Sequence, residues 1–367
     1  MKILFYFPNE NHVRTKRLSY TNLMEGGFSG TETALLEMSN YLVIQGHEVQ
    51  IYGGADTYTD SNIKFISEQE LHAVDLEVDW YSPLFWAFSH QQKCLLKKLD
   101  PHRTKIFMWF QCFVDDHLIR EIKQHYQVYA QCVSKYVAKE YTHLFDPSHS
   151  WVVYNGIHDL FTTEIPDRTA KRGNWTFHAV YERGGSVAKN IFLKMNDPVI
   201  ARKLQLISYY TPDHNQNSST TIVHGGSKSK LEVRNMLLES DYFVYPLVLE
   251  DGRVHHDTFG TVMLEALACG TIVVVWDVAC VSSVYEDYVV KIPVPDKVKE
   301  HYNPSARFAQ CNWMLTDEAQ QLFIDKIKEL ESNQDHKESI RTRGMEWARK
   351  ITWKTLGAEM EKQLMLH

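Results

Sequence analysis

The sequence predicts an α/β chain of two domains, each built on a parallel sheet with helices on both faces. Its 367 residues are enough for two domains with separate cores. The chain opens with an apolar strand, a glycine-containing turn, a helix and a second strand, which is the order of a βαβ unit. A second succession of strands and helices begins after the polar stretch 158–173. Within it, the β-branched run 272–275 is typical of a buried parallel strand. Together these features predict two Rossmann-like domains.

Composition and charge argue against several classes of function. The net charge of -7 disfavours nucleic acid as a main partner. No apolar run approaches the length of a transmembrane helix, so no stable membrane insertion is expected. The six cysteines contain no Cys-x-x-Cys pair and lie in apolar contexts. We therefore expect reduced thiols and a cytoplasmic protein.

The first half begins with a predicted strand at 3–7, a long polar loop at 8–29, a helix from about Thr31 and a strand at 48–52. Gly30 would let backbone amides approach an anion at the start of that helix. The loop is far too long for a dinucleotide-binding turn. A glycine-containing loop without a ligand is the alternative.

Acidic and imidazole side chains follow the predicted strand 105–111, at a carboxyl end where α/β proteins place ligands. They are Asp115, Asp116 and His117. The alternative is that the acids cap a helix and the histidine lies on the surface. Further elements of this half are predicted as strands at 63–66, 128–134 and 151–154, and helices near 83–98, at 116–125 and from 135 onward.

Two cations flank glycines after the predicted strand 175–180. Arg183 offers a planar fork of donors and Lys189 a point charge, a combination that suits a diphosphate. Two solvated loop cations are the alternative. The later elements are predicted as helices near 190–197 and at 228–239, strands at 203–208, 221–223 and 241–246, an amphipathic helical tail at 316–349 and a final helix to 367.

The stretch from Asp257 to Gly270 predicts a turn, a helix with a glycine stop, and then a buried strand. Asp257 and Glu265 are separated by seven residues, one before the helix and the other inside it. A helix start between two acids can hold a phosphorylated sugar, with amides on the phosphate and carboxylates on hydroxyls. Two solvated acids of an ordinary αβ unit are the alternative. The adjacent His255 and His256 lack the spacing of metal ligands, so no metal is expected.

These motifs resemble those of retaining GT-B glycosyltransferases, particularly the GT4-type or glycosyl transferases group 1 family. The family's acidic-x7-Glu element, with Glu-Ala-x-Ala-x-Gly, is matched at 257–270, although Asp257 stands where the family has Glu. Arg183 and Lys189 reproduce its Arg-x5-Lys spacing, and Gly-Gly-x4-Glu precedes the first helix. The resemblance extends over the whole chain and is stronger in the second half.

The resemblance implies a GT-B fold, with two Rossmann-like domains facing a cleft. Residues 1–157 would form an acceptor-side domain and 158–350 a nucleotide-sugar-binding domain. The segment 351–367 would be a helix that crosses back to pack on the first domain.

The implied activity is transfer of a hexosyl or pentosyl unit from a nucleotide-sugar donor to a saccharide or glycan acceptor, with retention of configuration and no metal or other cofactor. The implied catalytic residues are Asp257, Arg183 and Lys189. Donor-binding candidates are Glu265, Gly260, Thr261, Phe259, Thr258, Gly30, His224 and Gly225, and acceptor-side candidates are His12, Asp115 and His117. The alternatives are an epimerase-like or phosphorylase-like GT-B enzyme, a dehydrogenase, and a non-catalytic nucleotide-sugar binding protein.

The acceptor is expected to be a soluble saccharide and not a membrane lipid. Residues 1–157 contain 14 Lys and Arg against 18 Asp and Glu, a difference of 14 − 18 = −4. Arg14, Lys16 and Arg17 are a local basic exception. Each cation near an anionic membrane contributes only about 1 kcal/mol, so this patch is too small for stable membrane binding.

Overall fold

The structure is a computed structural model that describes residues 1–8, 17–25, 28–84, 90–163, 173–208, 221–226, 228–299 and 309–367. The chain divides into two compact units. The first unit comprises Met1–Leu23, Ser29–Gly156 and Trp353–His367, and the second comprises Met24–Phe28 and Ile157–Thr352.

The first unit is built on an eight-stranded sheet in the order β3-β4-β2-β1-β5-β6-β7-β8, parallel except for the β3–β4 pair. Its strands are β1 Lys2–Tyr6, β2 Glu48–Gly54, β3 Tyr58–Asp60, β4 Ile63–Ser67, β5 Trp80–Pro83, β6 Lys105–Phe110, β7 Val128–Cys132 and β8 Ser150–Val152. Its first helices are α1 Gly30–Ile44, α2 His90–Leu96, α3 Asp116–Lys123 and α4 Lys135–Glu140. The central strands are buried because helices cover both faces of a parallel sheet.

Two short strands of this sheet, β3 and β5, were not predicted from the sequence. Residues 80–83 form β5 beside β1. The helix expected near 83–98 begins only at His90, as α2. All four residues of β5 are buried, so the strand carries no alternating polar pattern that would reveal it. Pro83 at its end is compatible with the last position of a strand but lowers the strand signal further.

The second unit is built on a six-stranded parallel sheet in the order β11-β10-β9-β12-β13-β14. Its strands are β9 Asn174–His178, β10 Lys203–Ile207, β11 Ile222–His224, β12 Tyr242–Tyr245, β13 Ile272–Trp276 and β14 Val290–Ile292. Its helices are α5 Gly185–Met195, α6 Lys230–Leu238, α7 Thr261–Ala268, α8 Val281–Val284, α9 Asp296–Lys299, α10 Asp317–Ser332 and α11 Gln334–Ala348. The strand order reverses between β9 and β12, and ligands of such sheets bind at the carboxyl ends of the strands beside that point.

The two parallel sheets confirm the predicted α/β fold of two Rossmann-like domains. Two boundaries were wrong. Helix α5 begins at Gly185 and not near residue 190, because Gly184 adopts φ 115° and turns the chain directly into the helix. The tail 316–349 is two helices, since Asn333 is non-helical and its side chain accepts a hydrogen bond from the amide of His336.

The chain returns to the first unit for its last helix, α12 Trp353–Leu366, which packs against α1. Gly357 permits the approach, because a Cβ there would lie 2.5 Å from the ring of Tyr41. The carboxylate of Glu361 accepts hydrogen bonds from Tyr41 at 3.1 Å and contacts Nε2 of His47 at 2.7 Å. Within the described ranges, no helix combines the length and the apolar character needed to cross a bilayer.

A buried ion pair ties α11 to the sheet of the second unit. Asp241, at the start of β12, accepts hydrogen bonds from Nη2 of Arg341 at 3.0 Å and from the amide of Gly173 at 2.7 Å. Arg341 also donates through Nη1 to the carbonyl of Gly270 at 2.9 Å. Both charged side chains are almost fully buried, so each depends on the other for compensation.

Candidate active site

The candidate site of the second unit lies at the carboxyl ends of β9 and β12, where the strand order reverses. The chain after β9 forms the 3₁₀ helix Tyr181–Arg183, and the chain after β12 runs through the loop 246–260 into α7. Arg183 and Asp257 come from these two connections. The sheet topology therefore brings together two of the three predicted catalytic residues.

Asp257 is held by three side chains. Its Oδ2 accepts a hydrogen bond from the hydroxyl of Tyr245 at 2.9 Å, and its Oδ1 lies 3.0 Å from Nε2 of His255. Nη1 of Arg183 is 3.9 Å from the same Oδ1. Both carboxylate oxygens are thus fixed by groups of the protein.

The environment keeps Asp257 ionised. Burial alone would raise its pKa, but the charges of His255 and Arg183 and the hydrogen bond from Tyr245 lower the pKa to about 2. Burial and the adjacent carboxylate raise the pKa of Tyr245 well above its usual range, so its hydroxyl remains a hydrogen-bond donor. The site therefore presents a fixed negative charge at neutral pH.

Helix α7 begins beside this carboxylate. Its N-cap, Gly260, has φ 77°, and a Cβ there would lie 2.4 Å from Cε of Met263. Tyr285 donates a hydrogen bond to the carbonyl of Gly260 at 2.7 Å. The amides of the first helical turn, starting at Thr261, have no acceptor within an α-helix and can bind an anion. Phe259 is buried, and Thr258, next to it, is half-buried.

Arg183 and Lys189 occupy different elements. Arg183 ends the 3₁₀ helix and reaches Asp257, whereas Lys189 lies in the second turn of α5 and is half-buried. Both were predicted on one glycine-containing loop. The early start of α5 separates them, because the glycines form the entry to the helix.

Glu265 is nearly inaccessible, with 2 % of its surface exposed. Its Oε1 lies 2.7 Å from Nζ of Lys230, the first residue of α6. Lys230 was not predicted as a site residue, because a lysine at the start of a helix is usually solvated. His224 ends β11 shortly before α6, and its ring lies 6.3 Å from that of Tyr181. Gly225 follows and donates its amide to the carbonyl of Leu206.

The remaining candidates belong to the first unit. Gly30 is the first residue of α1, where Ser29 and Glu32 form a reciprocal capping box. Asp115 is the N-cap of α3 and accepts the amide of His117 at 2.8 Å, and both residues are exposed. The capping alternative thus describes Asp115, and an acceptor-side role for Asp115 and His117 stays a prediction. His12 lies outside the described residues.

Among the described residues, no three His, Cys, Asp or Glu side chains are grouped so that they could hold a metal ion. Within the described residues, Asp257 is the one carboxylate that His255 contacts. The contact anchors the acid.

A buried histidine at the end of β9 makes stability depend on pH. Burial, and secondarily the charge of Lys230, lower the pKa of His178 to about 3, against about 6.5 for an unfolded histidine. The unfolded chain therefore binds the additional proton between these values, and the free energy of unfolding falls by up to about 1.4 kcal/mol per unit as the pH decreases through that window. We expect His178→Gln to flatten this slope, measured by denaturant unfolding between about pH 7 and pH 5.

The matched control is the exposed His336, whose change to Gln should leave the slope of the native protein unchanged. Parallel pH curves for His178→Gln and the native protein would show that His178 does not titrate in this way.

The two parallel-sheet domains define a GT-B fold. Residues 213–347 match the family model described as Glycosyl transferases group 1. That region contains the acidic motif and Lys230, and the match together with the fold supports an enzyme that transfers a sugar.

Several solved structures share the fold. Sucrose-phosphate synthase from Thermosynechococcus elongatus aligns with a TM-score of 0.67 at 11% identity, over 100% of this chain and 98% of that one. WaaG, a glycosyltransferase involved in lipopolysaccharide biosynthesis, gives 0.61 at 10% identity over 99% of both chains. An α-glucosyltransferase in complex with UDP and a 13-mer DNA containing an HMU base gives 0.59 at 12% identity, over 100% and 99%. No curated protein sequence matches the chain. At these identities the likeness establishes the fold and not the substrate.

Proposed function

We propose that this protein is a retaining glycosyltransferase that moves a hexosyl or pentosyl unit from a nucleotide-sugar to a saccharide or glycan acceptor without a metal ion. The observation that carries the proposal is the ionised Asp257, fixed by His255, Tyr245 and Arg183 at the strand-order reversal. It lies beside the start of α7, within the region that matches the glycosyltransferase family model.

The main electrostatic requirement of this reaction is to stabilise the negative charge that develops on the leaving diphosphate. The guanidinium of Arg183 is 39% exposed beside Asp257, and its planar fork of donors suits a phosphate group. The first amides of α7 add oriented dipoles. Together these groups stabilise developing negative charge without reorganising, which is how preorganised sites lower a barrier. Lys189 is assigned to the same task by its family spacing from Arg183.

Asp257 is assigned to the hydroxyls of the transferred sugar. A carboxylate that stays ionised accepts strong, charge-assisted hydrogen bonds from hydroxyl groups. Aspartate is one methylene shorter than the glutamate of the family. The contacts with Tyr245 and His255 fix the shorter side chain, so its position is set by the protein and not by the substrate.

Glu265 is assigned to the ribose of the donor, and the acceptor is assigned to a soluble saccharide or glycan in the cytoplasm. The net charge of -7 disfavours a nucleic-acid acceptor, although one neighbour was solved with DNA. A uridine nucleotide is the first donor to test, because that neighbour was solved with UDP.

The test is binding and turnover with a panel of UDP-, GDP-, ADP- and TDP-sugars. We expect one nucleotide class to raise the thermal midpoint, since a ligand at a hundred times its Kd adds about 2.7 kcal/mol. Arg183→Ala and Lys189→Ala should each lower turnover by at least about 10²-fold. Lys326, which is paired with Glu329 on the surface of α10, provides the control, and Lys326→Ala should behave as the native protein.

If none of the nucleotide-sugars binds, the protein does not have the proposed function. If the donor binds but both cationic variants retain normal turnover, the diphosphate does not lie beside Arg183 and Lys189.

A further inference from the structure

The loop that carries Asp257 is folded into a hairpin over residues 247–255. Val248 pairs with Val254 in antiparallel fashion, and both side chains are buried. The hairpin ends at His255, whose Nε2 lies 3.0 Å from Oδ1 of Asp257. A shift of the hairpin therefore moves one of the groups that fix the acid.

A segment from much later in the chain, 309–312, lies along the second leg of this hairpin. The amide of Val254 donates to the carbonyl of Ala309 at 3.0 Å. The amide of Cys311 donates to the carbonyl of Gly252 at 2.7 Å. The segment thus adds a third strand to the hairpin, antiparallel to its second leg.

The third strand supplies stability that the hairpin lacks on its own, because an isolated pair of short strands is marginally stable at best in water. The segment 309–312 is itself anchored by the residue that follows it. The ring of Trp313 packs 5.5 Å from the ring of Trp276, a fully buried residue at the end of β13. The hairpin is therefore tied to the sheet of the second unit through a distant part of the chain.

Gly252, at the turn of the hairpin, allows the close approach of the two segments. It has φ 83°, a left-handed conformation that favours glycine. A Cβ at this position would overlap Oδ1 of Asn312. The side chain of Gln310 donates to the carbonyl of Asp251 at 3.0 Å and adds a further contact. A side chain at Gly252 would therefore push the hairpin away from the segment 309–312.

We propose that the segment 309–312 sets the sugar preference of the enzyme, because it holds the hairpin and thereby the position of Asp257. The inference rests on the proposed function, in which Asp257 contacts the hydroxyls of the transferred sugar. It adds the residues that decide how strictly that sugar is read. Gly252 and Gln310 are positioning residues, which act through His255 and Asp257 and not by contact with the substrate.

The expected discrimination follows from the geometry of hydrogen bonds. Two sugars that are epimers differ only in the direction of one hydroxyl, and a site built to bind that hydroxyl rejects the epimer. A misplacement of about 1 Å at a reacting site can cost about 10²-fold in rate. A displaced carboxylate therefore slows transfer of the preferred sugar more than transfer of its epimer.

The experiment compares kcat/KM for the donor preferred in the panel and for its epimer at one ring hydroxyl, such as UDP-glucose and UDP-galactose. The ratio of the two values does not depend on the fraction of folded enzyme. We expect a ratio of at least about tenfold for the native protein and within about threefold for Gly252→Ala. The Kd of the nucleoside diphosphate should stay within about threefold of the native value, because Arg183 and the start of α7 lie outside the hairpin.

The matched control is Gly46, which has φ 86° but no described atom within 4 Å of a Cβ built on it. Gly46→Ala carries the same backbone strain without the overlap, so it should keep the native ratio. Asn312→Gly removes the overlapping atom. Gly252→Ala/Asn312→Gly should therefore recover most of the native sugar preference, although the backbone strain remains.

A second variant keeps the test independent of whether Gly252→Ala folds. Gln310 is exposed, and Gln310→Ala removes its hydrogen bond to the carbonyl of Asp251. We expect this change to lower the ratio by about twofold to threefold. If Gly252→Ala does not fold, the ratio of Gln310→Ala decides alone.

The native ratio in these variants, or a native protein that uses both epimers equally, would overturn the inference and leave the proposed function intact. A double variant with the low ratio of Gly252→Ala would overturn it as well, because the contact with Asn312 would then not matter. A native protein that binds no nucleotide-sugar would contradict the proposed function itself.

Discussion

Asp257→Asn should lower kcat by at least about 10²-fold, equivalent to about 2.7 kcal/mol of transition-state stabilisation, while the fold is retained. The amide has nearly the shape of the carboxylate but no charge. It also places an NH₂ group where Tyr245 or His255 offers a donor, so one hydrogen bond of the native site is lost. The measurement is steady-state kinetics at saturating donor, with a set of alternative sugars to detect a changed preference.

The control for this change is Asp251 in the same loop, which is exposed and pairs with Arg253. Asp251→Asn should leave kcat within about twofold of the native value. If Asp257 proves dispensable while Glu250 is essential, the catalytic acid has been assigned to the wrong position in the loop.

Much of the fold could be predicted from the sequence because its strongest signals are local. The apolar run at 272–275 predicts β13, and the spacing of apolar residues with a glycine stop predicts α7. The short strand β5 could not be predicted, because four residues buried on both faces give no periodic pattern. Its place beside β1 is decided by tertiary pairing.

In the candidate site, too, local features could be predicted and long-range contacts could not. The separation of Asp257 and Glu265 predicts an acid on each side of the helix start, and the structure has this arrangement. Of their partners, Arg183 was a predicted site residue, whereas Tyr245, His255 and Lys230 were not predicted as partners. Tyr245 lies twelve residues before Asp257 and Lys230 lies thirty-five residues before Glu265, so neither contact leaves a local pattern. His255 is the one partner with a local signal, since it precedes Asp257 by two residues.

Tyr245 and His255 fix Asp257, the residue at which the acidic motif differs from the pattern that it resembles. Asp257 is one methylene shorter than the Glu of the motif that this stretch resembles. The carboxylate of Asp257 is held by Tyr245, at the end of β12, and by His255, in the loop between β12 and α7. The contacts from Tyr245 and His255 therefore set the position of the Asp257 carboxylate.

The largest loss of stability is expected where a charge is buried far from the candidate site. Arg341 of α11 is 4% exposed and contacts Asp241 at 3.0 Å, and it also donates to the carbonyl of Gly270. Asp241 keeps the amide of Gly173 after the arginine is removed, but Lys337, at 3.9 Å, is already paired with Glu331 at 2.5 Å. The carboxylate would thus lose its principal counter-charge inside the protein.

Arg341→Met should lower the free energy of unfolding by about 3–5 kcal/mol, because removing one member of a buried ion pair leaves the other uncompensated. The measurement is the midpoint of denaturant unfolding of the full chain. Arg343 lies two residues later on the same helix and is exposed, so Arg343→Met should change the free energy by less than about 0.5 kcal/mol. Adding Asp241→Asn to Arg341→Met should recover part of the loss, since it removes the stranded charge. Equal midpoints for the two arginine variants would mean that water or Lys337 already compensates Asp241, and that α11 is held to the sheet by apolar packing alone.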